Sequence, residues 1–312
     1  MNVLIIGLGS IAKKHIAAIH ALGLSAKIFA LRSDSNAPIY EGVVNIQGLN
    51  EVNCQLDFAI ISNPTNLHYH FIDLIVDQEI PLFIEKPPLS SLENADILQE
   101  KIEKKQVKTY VACNLRFNPC VIFLKNFLLQ NQKVRINEVN IYAGSYLPEW
   151  RPSKDFREVY SANAAMGGGV HLDLFHELDY TTWIFGKPYL VYSTKRNVSS
   201  LAIDAYDYAN YTFCYKTYTA SIILNYYRKD SKRNIEIVFD NETWNINLLL
   251  NKIVKHDGGI VFEAPNFSMA ETYYSQMQYF INCLMDDRVP MNTFAESLET
   301  LKICLINEQT KR

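Results

Sequence analysis

The chain has 312 residues, 48% of them hydrophobic and 20% charged, enough for two domains with sizeable buried cores. A formal net charge of −3 creates no field that would gather nucleic acid or an anionic membrane surface. No apolar run is long enough to span a bilayer, and the N-terminus enters a strand-like run without a basic leader, which reads as a cytoplasmic protein.

Residues 3–6, 26–31, 43–46, 58–61, 82–84 and 109–112 are short apolar runs that read as buried strands. Helical spacing fills residues 11–22, 67–76 and 92–103, and Ser90 with Glu93 predicts a capping box at the start of the last of these. Such alternation predicts an α/β domain over residues 1–118, a doubly wound parallel sheet with helices on both faces.

From Pro119 the pattern changes. A helix over 121–129 leads to a strand over 138–142, a polar aromatic loop to about residue 162, a glycine triplet and a second helix. Alternating runs follow at 204–215, 217–227, 235–239, 243–249 and 260–263, separated by turn signals such as Asp240-Asn241 and Asp257-Gly258-Gly259. Helices over 271–284 and 295–307 close the chain. Residues 119–312 are therefore expected to form an α+β domain on a large, mostly antiparallel open sheet, serving substrate binding and oligomerisation. Tyr206, Tyr208, Tyr211, Tyr215, Tyr218, Tyr226 and Tyr227 crowd these strands, either from ordinary strand propensity or because the outer face meets another subunit of a dimer or tetramer. The six cysteines show no C-x-x-C pair, which favours free thiols in a reducing compartment.

Gly7-Leu8-Gly9-Ser10-Ile11-Ala12 fits G-x-G-x-x-A between the first strand and first helix. Gly7 permits the tight turn, Gly9 lets the backbone approach a pyrophosphate, and Ala12 lets helix and strand pack closely, with Ser10 and Ile11 in the first turn. This is the fingerprint of a Rossmann domain. After the second strand, where NAD-binding chains usually carry a carboxylate, stand Arg32 and Ser33. A guanidinium and a hydroxyl suit a 2′-phosphate, favouring NADP over NAD; alternatively Arg32 is a solvated loop residue and the cofactor is NAD.

Three further segments follow the fourth, fifth and sixth strands: Ser62-Asn63-Pro64-Thr65-Asn66-Leu67-His68, Glu85-Lys86-Pro87 and Asn114-Leu115-Arg116-Phe117-Asn118-Pro119. Open α/β sheets bind ligands at these carboxyl ends, so Ser62, Asn63, Pro64, Thr65, His68, Glu85, Lys86 and Arg116 join the expected cofactor contacts. In the second domain, Gly167-Gly168-Gly169-Val170-His171-Leu172-Asp173-Leu174-Phe175-His176 would place Asp173 and His176 on one helix face. A metal site at His171, Asp173 and His176 is set aside, because spacings of two and three do not bring both imidazoles together.

These motifs, in this order and over nearly the whole length, resemble the Gfo/Idh/MocA family (glucose–fructose oxidoreductase / inositol dehydrogenase). The resemblance implies an NAD(P)-dependent oxidoreductase moving hydride between the nicotinamide and a secondary alcohol or ketone of a sugar, polyol or nucleotide-linked sugar. It implies Lys86 as acid/base; His176 can share that role, and Asp173 would orient the lysine or the substrate hydroxyl. His171 departs from the family pattern, where a small or apolar residue is more usual. The loop from Ser145 through Tyr146, Trp150 and Arg151 to Arg157 and Tyr160 sets aromatic rings beside arginines, which suits stacking on a sugar or base and clamping a carboxylate or phosphate. It resembles, more weakly, family members of surface-glycan biosynthesis. The expected substrate contacts are thus Lys86, Asn114, Tyr146, Trp150, Arg151, Arg157, His171, Asp173 and His176. Two other functions fit the same motifs: a hydrolase or lyase using tightly held NAD for transient oxidation, and a non-catalytic dinucleotide sensor.

Overall fold

The computed structural model describes every residue except Ser35 and 307–312. The chain divides into two compact units, Met1–Cys113 with Met269–Leu301, and Asn114–Ser268 with the residues from Lys302 onward.

The first unit is built on six parallel strands, β1 (Asn2–Ile6), β2 (Lys27–Leu31), β3 (Val43–Ile46), β4 (Phe58–Ile61), β5 (Leu82–Glu85) and β6 (Thr109–Ala112). They run in the order β3-β2-β1-β4-β5-β6. Their uninterrupted apolar runs follow from burial on both faces: Val3, Leu4 and Ile5 are fully buried, as are Phe58 through Ile61. Strand order reverses between β1 and β4, the place where such sheets open a crevice for a ligand. Helices α1 (Ser10–Ala21), α2 (His68–Asp77) and α3 (Ala95–Lys104) complete the alternation. The expected capping box at Ser90 does not form. Asn94 takes a left-handed conformation (φ 55°) that ends the preceding turn, so α3 begins at Ala95, and the Ser91 hydroxyl accepts the Glu93 N–H instead.

In the second unit α4 (Pro119–Gln130) starts on Asn118, whose side chain accepts the N–H groups of Cys120 and Val121. Next come β7 (Ile136–Tyr146), the one-turn helix α5 (Val170–Asp173), α6 (Phe175–Phe185), β8 (Leu190–Arg196), β9 (Tyr208–Cys214) and β10 (Thr219–Asn225). The strands β11 (Tyr227–Phe239), β12 (Thr243–Asn247), β13 (Lys252–Lys255) and β14 (Ile260–Glu263) finish an eight-stranded sheet ordered β14-β13-β12-β11-β7-β10-β9-β8. Every pairing is antiparallel except β7 with β10. The sheet is larger than expected, since β8 and β13 carry too little alternation to be read as strands. The single helix expected to carry Asp173 and His176 is a second correction. It breaks at Leu174 (φ −94°, ψ 36°), so Asp173 ends α5 while His176 lies in the first turn of α6.

Two helices return the chain to the first unit, α7 (Met269–Met285) and α8 (Phe294–Cys304, in this unit as far as Leu301). A division at residue 118/119 was expected. Instead Phe280 of α7 packs among Phe58, Phe83 and Tyr110, with ring centroids 5.3–5.9 Å apart. Asn292 then covers the edge of β6, its backbone carbonyl accepting Val111 N–H and its side-chain amide donating to Val111 O. An exposed edge and an unpaired aromatic face are thus closed by residues far away in sequence. The expected helix end at Asn307 lies outside the described residues.

Candidate functional site

The glycine turn is forced by close approach. Gly7 sits at φ +88°, and a Cβ there would lie 2.4 Å from the backbone N and Cα of Asn63. At Gly9 the opposite holds: nothing stands within 4 Å of a built Cβ, so the backbone there faces open space. Gly9 is the N-cap of α1, no side chain caps that helix, and its first turn holds no acidic residue. Its N–H groups and positive dipole end therefore suit a phosphate. Ala12 is fully buried, Ile11 half-buried and Ser10 exposed.

Asn63 is the second sign of a ligand. Both polar atoms of its amide are buried without a hydrogen-bond partner, beside Gly7, which is costly unless a bound group satisfies them. Ser62 is tied inward, its hydroxyl donating to Gly7 O at 2.9 Å. Thr65 is buried and Pro64 exposed in the turn that leads to α2. His68 has a carbonyl at each ring nitrogen, Pro88 O and Asn63 O, both at 3.1 Å, and burial pushes its pKa below the usual value. Held neutral, it donates its one ring N–H to one of these carbonyls and lies between the Asn63 turn and the segment after Lys86.

Arg32 follows β2 half-buried, its N–H bonded to Ile46 O, and Ser33 is exposed. Asp34, the nearest carboxylate, accepts the Asn36 N–H at 2.8 Å and so caps its own loop. Glu85 ends β5. One of its oxygens lies 2.6 Å from His15 Nε2 on α1, and the other accepts the Lys86 N–H at 3.2 Å. Lys86 is half-buried and followed by a cis peptide to Pro87. His15 escaped the sequence reading because its partner is 70 positions away.

In the second unit, Asp173 is held by two tyrosines. Tyr160 OH donates to Oδ1 at 2.7 Å and Tyr226 OH to Oδ2 at 2.5 Å. Both phenols are held well above the usual tyrosine pKa, Tyr160 first by the charge of Asp173 and Tyr226 first by burial, so both stay protonated donors. Gly168 makes this possible, since a Cβ there would lie 2.1 Å from Tyr160 O. Trp150 packs edge-on against Tyr226 at 5.3 Å and donates from Nε1 to Ser145 Oγ, while the Arg151 guanidinium lies 5.6 Å over the Tyr160 ring. Trp150, Arg151, Tyr160, Asp173 and Tyr226 thus form one cluster.

The other expected residues have neighbours of their own. Arg116 makes a buried bidentate pair with Asp179, Nε to Oδ2 at 2.9 Å and Nη2 to Oδ1 at 2.7 Å, and its guanidinium lies over Trp183. Sequence alone could not show that Asp179 faces it. Arg157 turns to its own loop, over Phe156 and 3.6 Å from Asp155. Tyr146 projects from the side of β7 opposite Ser145, where the Lys229 ammonium lies 5.5 Å from its ring centroid. His171 is buried edge-on to Tyr206, and burial, then the charge of Lys195, pushes its pKa down to about 3. Asn114 is buried in a 3-10 turn, and His176 is half-buried.

Residues 1–113 match the Gfo/Idh/MocA family model, described as an oxidoreductase family with an NAD-binding Rossmann fold. Glucose-6-phosphate 3-dehydrogenase of Bacillus subtilis (strain 168) is 22% identical over 202 residues, covering 63% of this chain and 57% of that relative. The chain thus matches little more than half the length of that curated protein. Among solved structures, the WlbA dehydrogenase from Bordetella pertussis in complex with NADH and UDP-GlcNAcA superposes with a TM-score of 0.78, at 18% identity, over 96% of this chain and 92% of the other. Levoglucosan dehydrogenase in complex with NADH and levoglucosan reaches a TM-score of 0.84 at 14% identity, over 97% and 95%. These two likenesses establish the fold.

Proposed function

We propose that this chain, whose first 113 residues match the NAD-binding Rossmann model of the Gfo/Idh/MocA oxidoreductase family, transfers hydride between a nicotinamide cofactor and a secondary alcohol or ketone of a sugar. The observation that carries the reading is the Glu85-Lys86-Pro87 turn. It closes β5, two strands from the open helix terminus at Gly9, with the orphaned Asn63 amide after the strand that lies between.

A bound nicotinamide supplies the hydride acceptor or donor. The remaining work falls to side chains. The α1 terminus and the backbone at Gly9 hold phosphate, and the Asn63 amide gains the partner it lacks. Lys86 Nζ takes the hydroxyl proton in oxidation and returns it in reduction, with His176 sharing that role. Asp173, held by Tyr160 and Tyr226, orients the reacting hydroxyl through a charge-assisted hydrogen bond. His171 is held neutral by burial and packs rather than transfers protons.

NADP is the favoured cofactor, because Arg32 and Ser33 occupy the ribose-reading position and Asp34 is engaged in its own loop. For the substrate, Trp150 and Arg151 beside Asp173 suit a sugar bearing a negative charge, such as a nucleotide-linked or acidic sugar. UDP-GlcNAcA in the Bordetella structure and the glucose 6-phosphate of the Bacillus relative's name are of that kind. The free cysteines fit a cytoplasmic setting. The tyrosines on the outer sheet face, with Tyr192 55% exposed, fit a homo-oligomer joined through that sheet, which sedimentation velocity would report.

Fluorescence titration with NADPH and NADH tests the cofactor assignment. Tighter binding of NADPH, reversed by Arg32→Asp, is the expected result; unchanged preference in Arg32→Asp removes Arg32 from it.

A further inference from the structure

His15 lies in the second turn of α1, fully buried, its ring edge-on to Phe83 at 4.8 Å and to Tyr273 at 5.9 Å. Its Nε2 is 2.6 Å from Glu85 Oε1, and its Nδ1 has no hydrogen-bond partner. A carboxylate only accepts, so the shared proton sits on Nε2. Glu85 passes the restraint on, its second oxygen accepting the backbone N–H of Lys86. The helix whose N-terminus faces the phosphate position is thereby bonded, through one carboxylate, to the residue that carries the ammonium.

Stability does not account for this pair. Burying an imidazole and a carboxylate among Phe83, Tyr273 and the sheet costs desolvation, and a well-packed apolar pair of similar volume would hold α1 at least as firmly. What an apolar pair could not do is fix the Glu85 carboxylate and so the Lys86 backbone.

We propose that His15 is a positioning residue for Lys86: its Nε2–H holds Glu85, and Glu85 sets where the Lys86 side chain leaves the end of β5. The inference rests on the reading of Lys86 as acid/base. It also links the two ends of cofactor handling, since a shift of α1 would reach Lys86 through His15.

The test uses the full chain with His15→Phe, which keeps the ring packing and removes the donor, and His15→Gln, which restores an N–H at similar reach. Three readouts are taken: crystal structures with NADH bound, NADH affinity by fluorescence, and turnover of UDP-N-acetylglucosamine and glucose 6-phosphate. In His15→Phe the Lys86 Nζ should move by roughly 1 Å or more and kcat fall about tenfold or more, with NADH Kd and KM within about threefold. His15→Gln should restore both position and kcat. An unmoved Lys86 Nζ in His15→Phe, a His15→Gln protein that behaves like His15→Phe, or losses of kcat and NADH affinity in step would each overturn the proposal. Lys86→Ala run in parallel separates the two ideas. If it turns over normally, the acid/base reading falls. If it is inactive while His15→Phe keeps full kcat and an unmoved lysine, only the role of His15 falls.

Discussion

Burial decides what several charged and titratable side chains can do. His171 protonates near pH 6.5 when unfolded but only at about 3 when folded. Between those values the unfolded state binds the extra proton, so stability is complete above about pH 6.5 and falls as pH drops, by up to about 1.4 kcal/mol per pH unit. His68, also lowered by burial, adds a loss of the same sign. Thermal midpoints should therefore fall from pH 7 to pH 5, and His171→Phe, which keeps the ring against Tyr206, should flatten that slope; an unchanged slope would exclude His171 as its source. For Arg116, truncation to Ala should cost about 3–5 kcal/mol in stability by stranding the buried Asp179 charge. NADH affinity of the folded fraction should stay within about threefold, whereas selective loss of affinity with stability intact would assign Arg116 to the cofactor. At this scale Lys86 stood out in the sequence because Glu-Lys-Pro at the end of a strand is a local pattern. His15 did not, and Tyr160 and Tyr226 stood out only as aromatic residues and not as partners of Asp173, because each gains its meaning from a partner 13 to 70 residues away.

Elements were legible where period and burial agree. The six parallel strands are continuous apolar runs and lie within a few residues of their expected places, as do α1 and α2. The break between α5 and α6 was not legible, since every residue from Val170 to Phe185 fits a helix locally and only the backbone at Leu174 departs. That break sets Asp173 on its own short turn, where the Tyr160 segment reaches it across Gly168. Gly168→Ala should displace that segment, because its Cβ would stand 2.1 Å from Tyr160 O. The expected result is a stability loss of about 1–3 kcal/mol together with a kcat lowered to the level of Tyr160→Phe. A Gly168→Ala enzyme of normal stability and kcat would show that the Asp173 clamp does not depend on this packing. The strands β8 and β13 were missed for a different reason: they are short or near the sheet edge, where one face needs no apolar alternation.

For the whole chain, the two-unit division was visible as a change from strand–helix alternation to hairpins, but its course was not. Residues 269–301 follow the hairpins in sequence and yet complete the first unit, because Phe280 and Asn292 answer an aromatic face and a strand edge laid down some 170 residues or more earlier. Period and composition say that a helix is amphipathic without saying which sheet it covers. The chemistry assigned to the chain rests on Lys86 as the group that moves the substrate proton. The most direct measurement is net formation of reduced nicotinamide by the wild-type chain and by Lys86→Ala, with NADP⁺ or NAD⁺ and UDP-N-acetylglucosamine, UDP-GlcNAcA or glucose 6-phosphate. The account predicts turnover by the wild type with at least one of these sugars and a loss of roughly a thousandfold or more in Lys86→Ala at nearly unchanged cofactor affinity. Equal turnover by both proteins, or product formed with no net change in reduced nicotinamide, would contradict it.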